Sequence, residues 1–225
     1  MSKLTKEDLH FFLLKLHSLT GIVPIGIFLT FHLAINSLRT VGVRQYQFSI
    51  DLINNLPFLF GIEVLFIYVP LLLHSALGFY ITFAGRINVR RYPYYHNWMY
   101  TLQRITGAVV FAFLVYHMGT TVVPKIYYGK ELFDAAPFLI DAMNREFQTW
   151  GGRTLYLAGI FSAVFHFANG LWGFCVSWGV IVGPAAQRNA GVVFILFGLV
   201  LGLLGAATVV EFSLHPVPVA PSLAG

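Results

Sequence analysis

Charge is the scarcest ingredient of this 225-residue chain, at 10% Asp, Glu, Lys and Arg, where a soluble domain carries about 25%. Apolar residue types make up 57% and the mean hydropathy is +0.74. That balance excludes a soluble fold and implies an integral membrane protein. There is one cysteine, Cys175, which excludes an internal disulfide and an iron–sulfur cluster held by the chain's own thiolates. It sits in an apolar run and reads as a small buried residue. Only two acids, Glu63 and Glu211, border the apolar runs. The net charge is +5, but the cations fall at segment ends rather than in one patch, which gives no nucleic-acid partner. The chain has no linker composition and no low-complexity tract, so residues 1–225 read as a single domain. Its amino terminus, MSKLTKEDLHFFLLKLHS, is charged and has no small-residue cleavage site. It reads as a retained cytoplasmic helix leading into the membrane, not as a signal peptide.

What the chain does contain is five apolar runs, at 17–38, 58–84, 105–123, 154–178 and 190–212, each near the ~20 residues a bilayer requires. The expected class is all-α, with five transmembrane helices and the first four forming a bundle. The fifth run, with GLVLGLLGAA, has no histidine and reads as a packing or lipid-facing helix without chemistry. Pro24 and Pro70 are expected to kink their helices. With the amino terminus inside, eight Lys and Arg fall on the inner side and six, Arg39, Arg44, Lys125, Lys130, Arg145 and Arg153, on the outer. The loop holding Arg86, Arg90 and Arg91 sharpens this bias, which places the amino terminus in the cytoplasm and the carboxyl terminus outside. The connection 124–153 is the longest, and FDAAPFLIDAMNREFQTW within it reads either as a short helix on the outer surface or as a cap over the bundle end.

Eight histidines are present. His10, His17, His96 and His215 lie at or beyond segment ends, where a ring can reach water. His32, His74, His117 and His166 lie one to a helix within the first four runs, where an ionisable side chain is by default a functional-site hypothesis. Taken singly, each could hydrogen-bond a neighbouring helix. Taken together, they are the residue set needed to clamp two haems. On a rise of ~1.5 Å per residue, His32 and His117 lie outward of their span centres. His74 lies inward, and His166 close to the middle. Helices one and three therefore offer an outer pair, and helices two and four an inner pair. A metal-ion site would more often add Asp, Glu or Cys ligands at close spacing, and none is near. Gly78 and Gly170, each four residues after a histidine of the inner pair, offer room for a macrocycle edge or for tight helix packing.

The segments KLHSLTGIVPIGIFLTFHL, IEVLFIYVPLLLHSALG, LQRITGAVVFAFLVYHM and YLAGIFSAVFHFANGLWGF together resemble the di-haem cytochrome b anchor of succinate:menaquinone oxidoreductases and related fumarate reductases. The resemblance implies a five-helix bacterial inner-membrane subunit with two b haems. His32 and His117 would hold the outer haem iron, and His74 and His166 the inner one. It also implies docking of a flavoprotein subunit and an iron–sulfur subunit on the cytoplasmic face. This chain would then carry electrons from succinate oxidation to menaquinone. In fumarate-reducing relatives a glutamate two residues before the fourth ligand is associated with a transmembrane proton path. This chain has Val164 there, which favours succinate oxidation over the quinol:fumarate direction.

Two further residues carry expectations. Arg104, in the LQRITG stretch, heads the inner cluster of Arg86, Arg90, Arg91, His17 and His96, a surface suited to inner-haem propionates, the docked iron–sulfur subunit or anionic lipid headgroups. Glu63 is a candidate proton donor to quinone near the outer face. Two competing readings remain: the haem subunit of another quinol-reactive complex, and a non-redox membrane protein whose histidines line a pore or bind metal.

Overall fold

The computed structural model describes residues 5–132 and 135–217, and no strand occurs among them. Helix α1 (Lys6–Thr20) starts on a capping box. The Asp8 N–H donates to the Thr5 hydroxyl at 3.2 Å, and the Thr5 N–H donates to the Asp8 carboxylate at 3.0 Å. Two otherwise orphaned donors are satisfied in this way. A π-helical turn, Gly21–Gly26, joins α1 to α2 (Ile27–Ser37). Pro24 lies inside that turn, where its missing N–H breaks the ordinary i to i−4 ladder. After α3 (Val43–Asn54), the same device recurs. α4 (Leu59–Glu63) passes through the π-helical turn Val64–Tyr68 into α5 (Val69–Ala84), with Pro70 at its start. The irregularities expected at the two prolines thus take the form of widened turns. The remaining helices are α6 (Tyr95–Leu132), α7 (Ala135–Gln148), α8 (Trp150–Ser177) and α9 (Pro184–Leu214).

Five helical runs among the described residues are long and apolar enough to cross a membrane: Lys6–Thr40, Leu59–Ala84, Tyr95–Pro124, Trp150–Ser177 and Pro184–Leu214. Large apolar side chains stand open along them, Leu72 and Phe83 at 71% and 83% exposure. That is the expected surface where hydrocarbon replaces water as the solvent.

The chain divides into two compact units. The first comprises Met1–Thr30, Phe60–Ala108 and Ala163–Leu199. Here Lys15 donates to the Ser177 carbonyl at the end of α8, and the Trp178 indole donates to the Ser18 hydroxyl at 3.1 Å. A cation suits the carbonyl end of a helix. Gly198 of α9 lies against Ala168 and Val164, where a Cβ would come within 3.0 Å of the alanine methyl.

The second unit comprises Phe31–Leu59, Val109–Ser162 and Val200–Gly225. Its core joins Tyr46 and Ile50 of α3 to Ile140, Met143 and Phe147 of α7 and to Val209 and Phe212 of α9. The stretch after the first span is therefore not a plain short connection, because α3 folds within it. The segment 124–153 contains the expected helix, α7, whose apolar face lies in this core. Phe212 is fully buried. Asn144 pins the end of the described chain, donating to the Val217 carbonyl at 2.7 Å and accepting from its N–H at 3.1 Å.

Candidate functional site

In the first unit, His74 of α5 and His166 of α8 bring their ring centres to 6.1 Å, with the planes crossed at 86°. His74 Nδ1 donates to the His17 carbonyl at 3.0 Å, and His166 Nδ1 donates to the Gln103 carbonyl at 3.0 Å. A carbonyl can only accept, so each Nδ1 carries the proton and each Nε2 keeps its lone pair. The contacts are returned. His17 Nδ1 donates to the His74 carbonyl at 3.0 Å, and the Gln103 amide donates to the His166 carbonyl at 2.9 Å. Asn169 fixes that amide by donating to its oxygen at 2.7 Å. Each histidine is thus clasped by two hydrogen bonds to one residue of a neighbouring helix, an arrangement that orients a ligand before any metal arrives.

Close backbone approach makes these contacts fit. A Cβ on Gly21 would collide with the His74 ring, and one on Gly107 would lie 2.9 Å from His166 Cε1. The glycines singled out from sequence have different neighbours. A Cβ on Gly78 would meet His17 at 3.2 Å, and one on Gly170 would meet the Gln103 amide at 3.4 Å. His17 itself does not simply reach water, because it is half-buried and stacked on His74. Its role and that of Gln103 were missed by sequence reasoning, which stopped at Arg104, one residue beyond the glutamine.

In the second unit, His32 of α2 and His117 of α6 have ring centres 6.0 Å apart and planes crossed at 75°. The Asn36 amide donates to the His32 carbonyl at 2.7 Å, and the Tyr46 hydroxyl donates to the Asn36 oxygen at 3.3 Å. His117 Nδ1 and the Tyr156 hydroxyl are hydrogen-bonded at 3.2 Å, Thr121 donates to the His117 carbonyl at 2.5 Å, and Phe113 stacks on the ring.

Both ring spacings match axial ligation. Two metal–nitrogen bonds of ~2 Å, plus roughly 1.1 Å from each nitrogen to its ring centre, add to about 6 Å. No group of three or more His, Cys, Asp or Glu gathers among the described residues. A metal at either pair would take two protein nitrogens and its other ligands from elsewhere, as in a haem held by two imidazoles.

The other expected residues are placed as follows. Glu63 ends α4, half-buried, and accepts from the Tyr68 hydroxyl at 3.3 Å. Arg104 donates to the Ile81 carbonyl at 3.2 Å, in the last turn of α5, and lies over the Tyr100 ring at 4.1 Å. Arg86, Arg90 and Arg91 are exposed. Val164 is buried at the Gly198 backbone.

No family model matches the chain. The succinate dehydrogenase cytochrome b558 subunit of Bacillus subtilis (strain 168) is 32% identical to it over 202 residues, which cover 90% of this chain and 96% of the relative. The chain belongs to the family of succinate dehydrogenase cytochrome b558 subunits. As a cytochrome b558 family member with five spanning helices, it is a multi-pass membrane protein. One buried cation stands apart from the histidine pairs. Arg39, counted from the sequence among the outer-side charges, is only 3% exposed and donates to Glu211 of α9 at 2.9 Å. The fifth span, to which no chemistry was assigned, therefore neutralises a buried cation.

Proposed function

We propose that this chain is the haem-carrying membrane anchor of a succinate dehydrogenase. In this reading it passes electrons from an iron–sulfur partner subunit on the cytoplasmic side, through two b haems, to menaquinone. The observation that carries the reading is the pair of ring spacings, 6.1 Å for His74 with His166 and 6.0 Å for His32 with His117. Both match two imidazoles about one iron. Haem, when bound, supplies one-electron carriage, and the protein supplies ligation, orientation and electrostatics. His17 and Gln103 hold the Nδ1 protons of the inner pair on backbone carbonyls, which keeps Nε2 of each ring available. Asn36 and Thr121 hold the backbone of the outer pair.

Reducing a quinone takes two electrons and two protons. Glu63, hydrogen-bonded by Tyr68, is the candidate to hand on a proton from the outer side. Val164 buried at Gly198 leaves no acid where fumarate-reducing relatives have one, which supports succinate oxidation as the direction. The dicarboxylate site would lie on the flavoprotein partner.

Purification from membranes with haem available tests this reading. The expected preparation contains two b haems per chain, gives a b-type reduced-minus-oxidised band, and co-purifies with a flavoprotein and an iron–sulfur protein. A haem-free preparation without partners would reject it.

A further inference from the structure

Arg39 lies seven residues after His32, about two helical turns or ~10 Å further along the helix. Its guanidinium is held on two sides. Nη1 donates to Glu211 at 2.9 Å, and Nη2 donates to the His215 carbonyl. Its plane lies over Phe212 at 5.2 Å. The third side is bare, because Nε is buried and has no hydrogen-bond partner, which is true of no other buried side-chain nitrogen or oxygen among the described residues. Arginine's five N–H donors form a rigid fork, and leaving one of them unmet in a buried setting is costly. The groups around it do not supply an acceptor. Glu211 and His215 come from α9 and the residues after it, and His215 is itself mostly exposed. From α3 comes Tyr46, whose hydroxyl burial pushes up to about 12, so that it stays neutral; it donates to Asn36, and its oxygen does not accept from Nε. Asn36 in turn donates to the His32 carbonyl at 2.7 Å. Arg39 acts on Tyr46 through space, and Tyr46 heads the hydrogen-bonded chain through Asn36 to His32 of the outer pair.

A b-type macrocycle has two carboxylate arms on its rim, at right angles to the axis through its axial ligands. A carboxylate buried beside the His32–His117 pair needs a charge-assisted donor, and Arg39 has one unspent. We propose that Arg39 Nε binds a carboxylate arm of the macrocycle held by His32 and His117, an assignment that rests on the haem reading above.

The full-length apoprotein, produced without haem supply, is titrated with protohaem and with protohaem dimethyl ester, whose arms carry no charge. The outer component is the part of the bound spectrum that His117→Ala removes. Arg39→Gln is expected to weaken protohaem binding at this component roughly ten- to hundred-fold and to leave ester binding as it was. Equal weakening of both ligands makes Arg39 a structural residue and overturns the assignment. Unchanged binding of both also overturns it, as it would if the arginine faced a quinone instead. Where Arg39→Gln fails to fold, Glu211→Gln gives the complementary reading. Removing the competing carboxylate is expected to raise the preference for protohaem over the ester, and an unchanged preference overturns the proposal. A wild-type chain that binds neither ligand rejects the haem reading itself, and this inference with it.

Discussion

The imidazoles of His17 and His74 lie face to face, ring centres 3.9 Å apart and planes 14° from parallel. His74 is the proposed inner ligand, and His17 touches it through the ring stack and a hydrogen bond to its carbonyl. His17→Ala removes both while leaving the backbone carbonyl that holds His74 Nδ1. The inner component is therefore expected to survive with a shifted midpoint potential, and stability is expected to fall by about 0.5–1.5 kcal/mol. A redox titration resolving the two components checks this, since an unmoved inner potential would make the stack mere packing.

The crossed ring planes make a spectroscopic prediction. If haem binds both pairs as proposed with the ring planes kept at 86° and 75°, the two imidazoles of each pair would act on perpendicular iron d orbitals and leave them nearly degenerate. The oxidised protein is expected to give low-field, strongly anisotropic low-spin EPR signals from both haems. A rhombic three-line spectrum from either would mean that its ligand planes become parallel when haem binds.

Gly107 gives a steric test. Gly107→Val is expected to cost about 1–3 kcal/mol by overpacking and to perturb the inner component, because its Cβ would press on the His166 ring. Gly119, where an added Cβ would have nothing within 4 Å, is the control: Gly119→Ala should leave both components alone. Thermal unfolding and optical spectra of the two variants separate these outcomes.

Much of this arrangement was legible in the chain itself. Span count, helical class and the grouping of the four central histidines by depth follow from membrane-length apolar runs and the fixed rise of a helix. Residues whose role depends on which helix faces which were not legible. His17 and Gln103 act through backbone carbonyls, which no side-chain pattern advertises. Arg39 looked like a loop cation until α9 supplied Glu211 from 172 residues away. The helix α3 was hidden because Val43–Asn54 is too short and too polar to register as a span, and it is held by burial of Tyr46 and Ile50.

Arg104 donates to the last turn of α5, where a cation is worth about 0.3–1 kcal/mol. Arg104→Gln is expected to lose that amount and, if the residue also supports the inner haem or the docked subunit, to lower the inner potential or loosen docking. Normal haem content, potentials and docking in this variant would leave only the helix-capping role.

Glu63 and the membrane potential can be tested together in vesicles. Electrons moving from the inner to the outer side, with protons drawn from outside, travel toward the positive side. Collapsing the potential is therefore expected to slow succinate-to-menaquinone turnover, and Glu63→Gln to slow quinone reduction further. An unchanged rate on collapse removes the outer quinone site, and full activity in Glu63→Gln makes that residue a boundary carboxylate hydrogen-bonded to Tyr68.

The central claim, two haems each held by one named pair of histidines, is tested most directly by resolving the spectral components of four single variants. His74→Ala and His166→Ala are expected to lose the same component, and His32→Ala and His117→Ala the other, with each variant retaining one haem per chain. Loss of a common component by His32→Ala and His74→Ala, with the other component intact, would contradict the pairing.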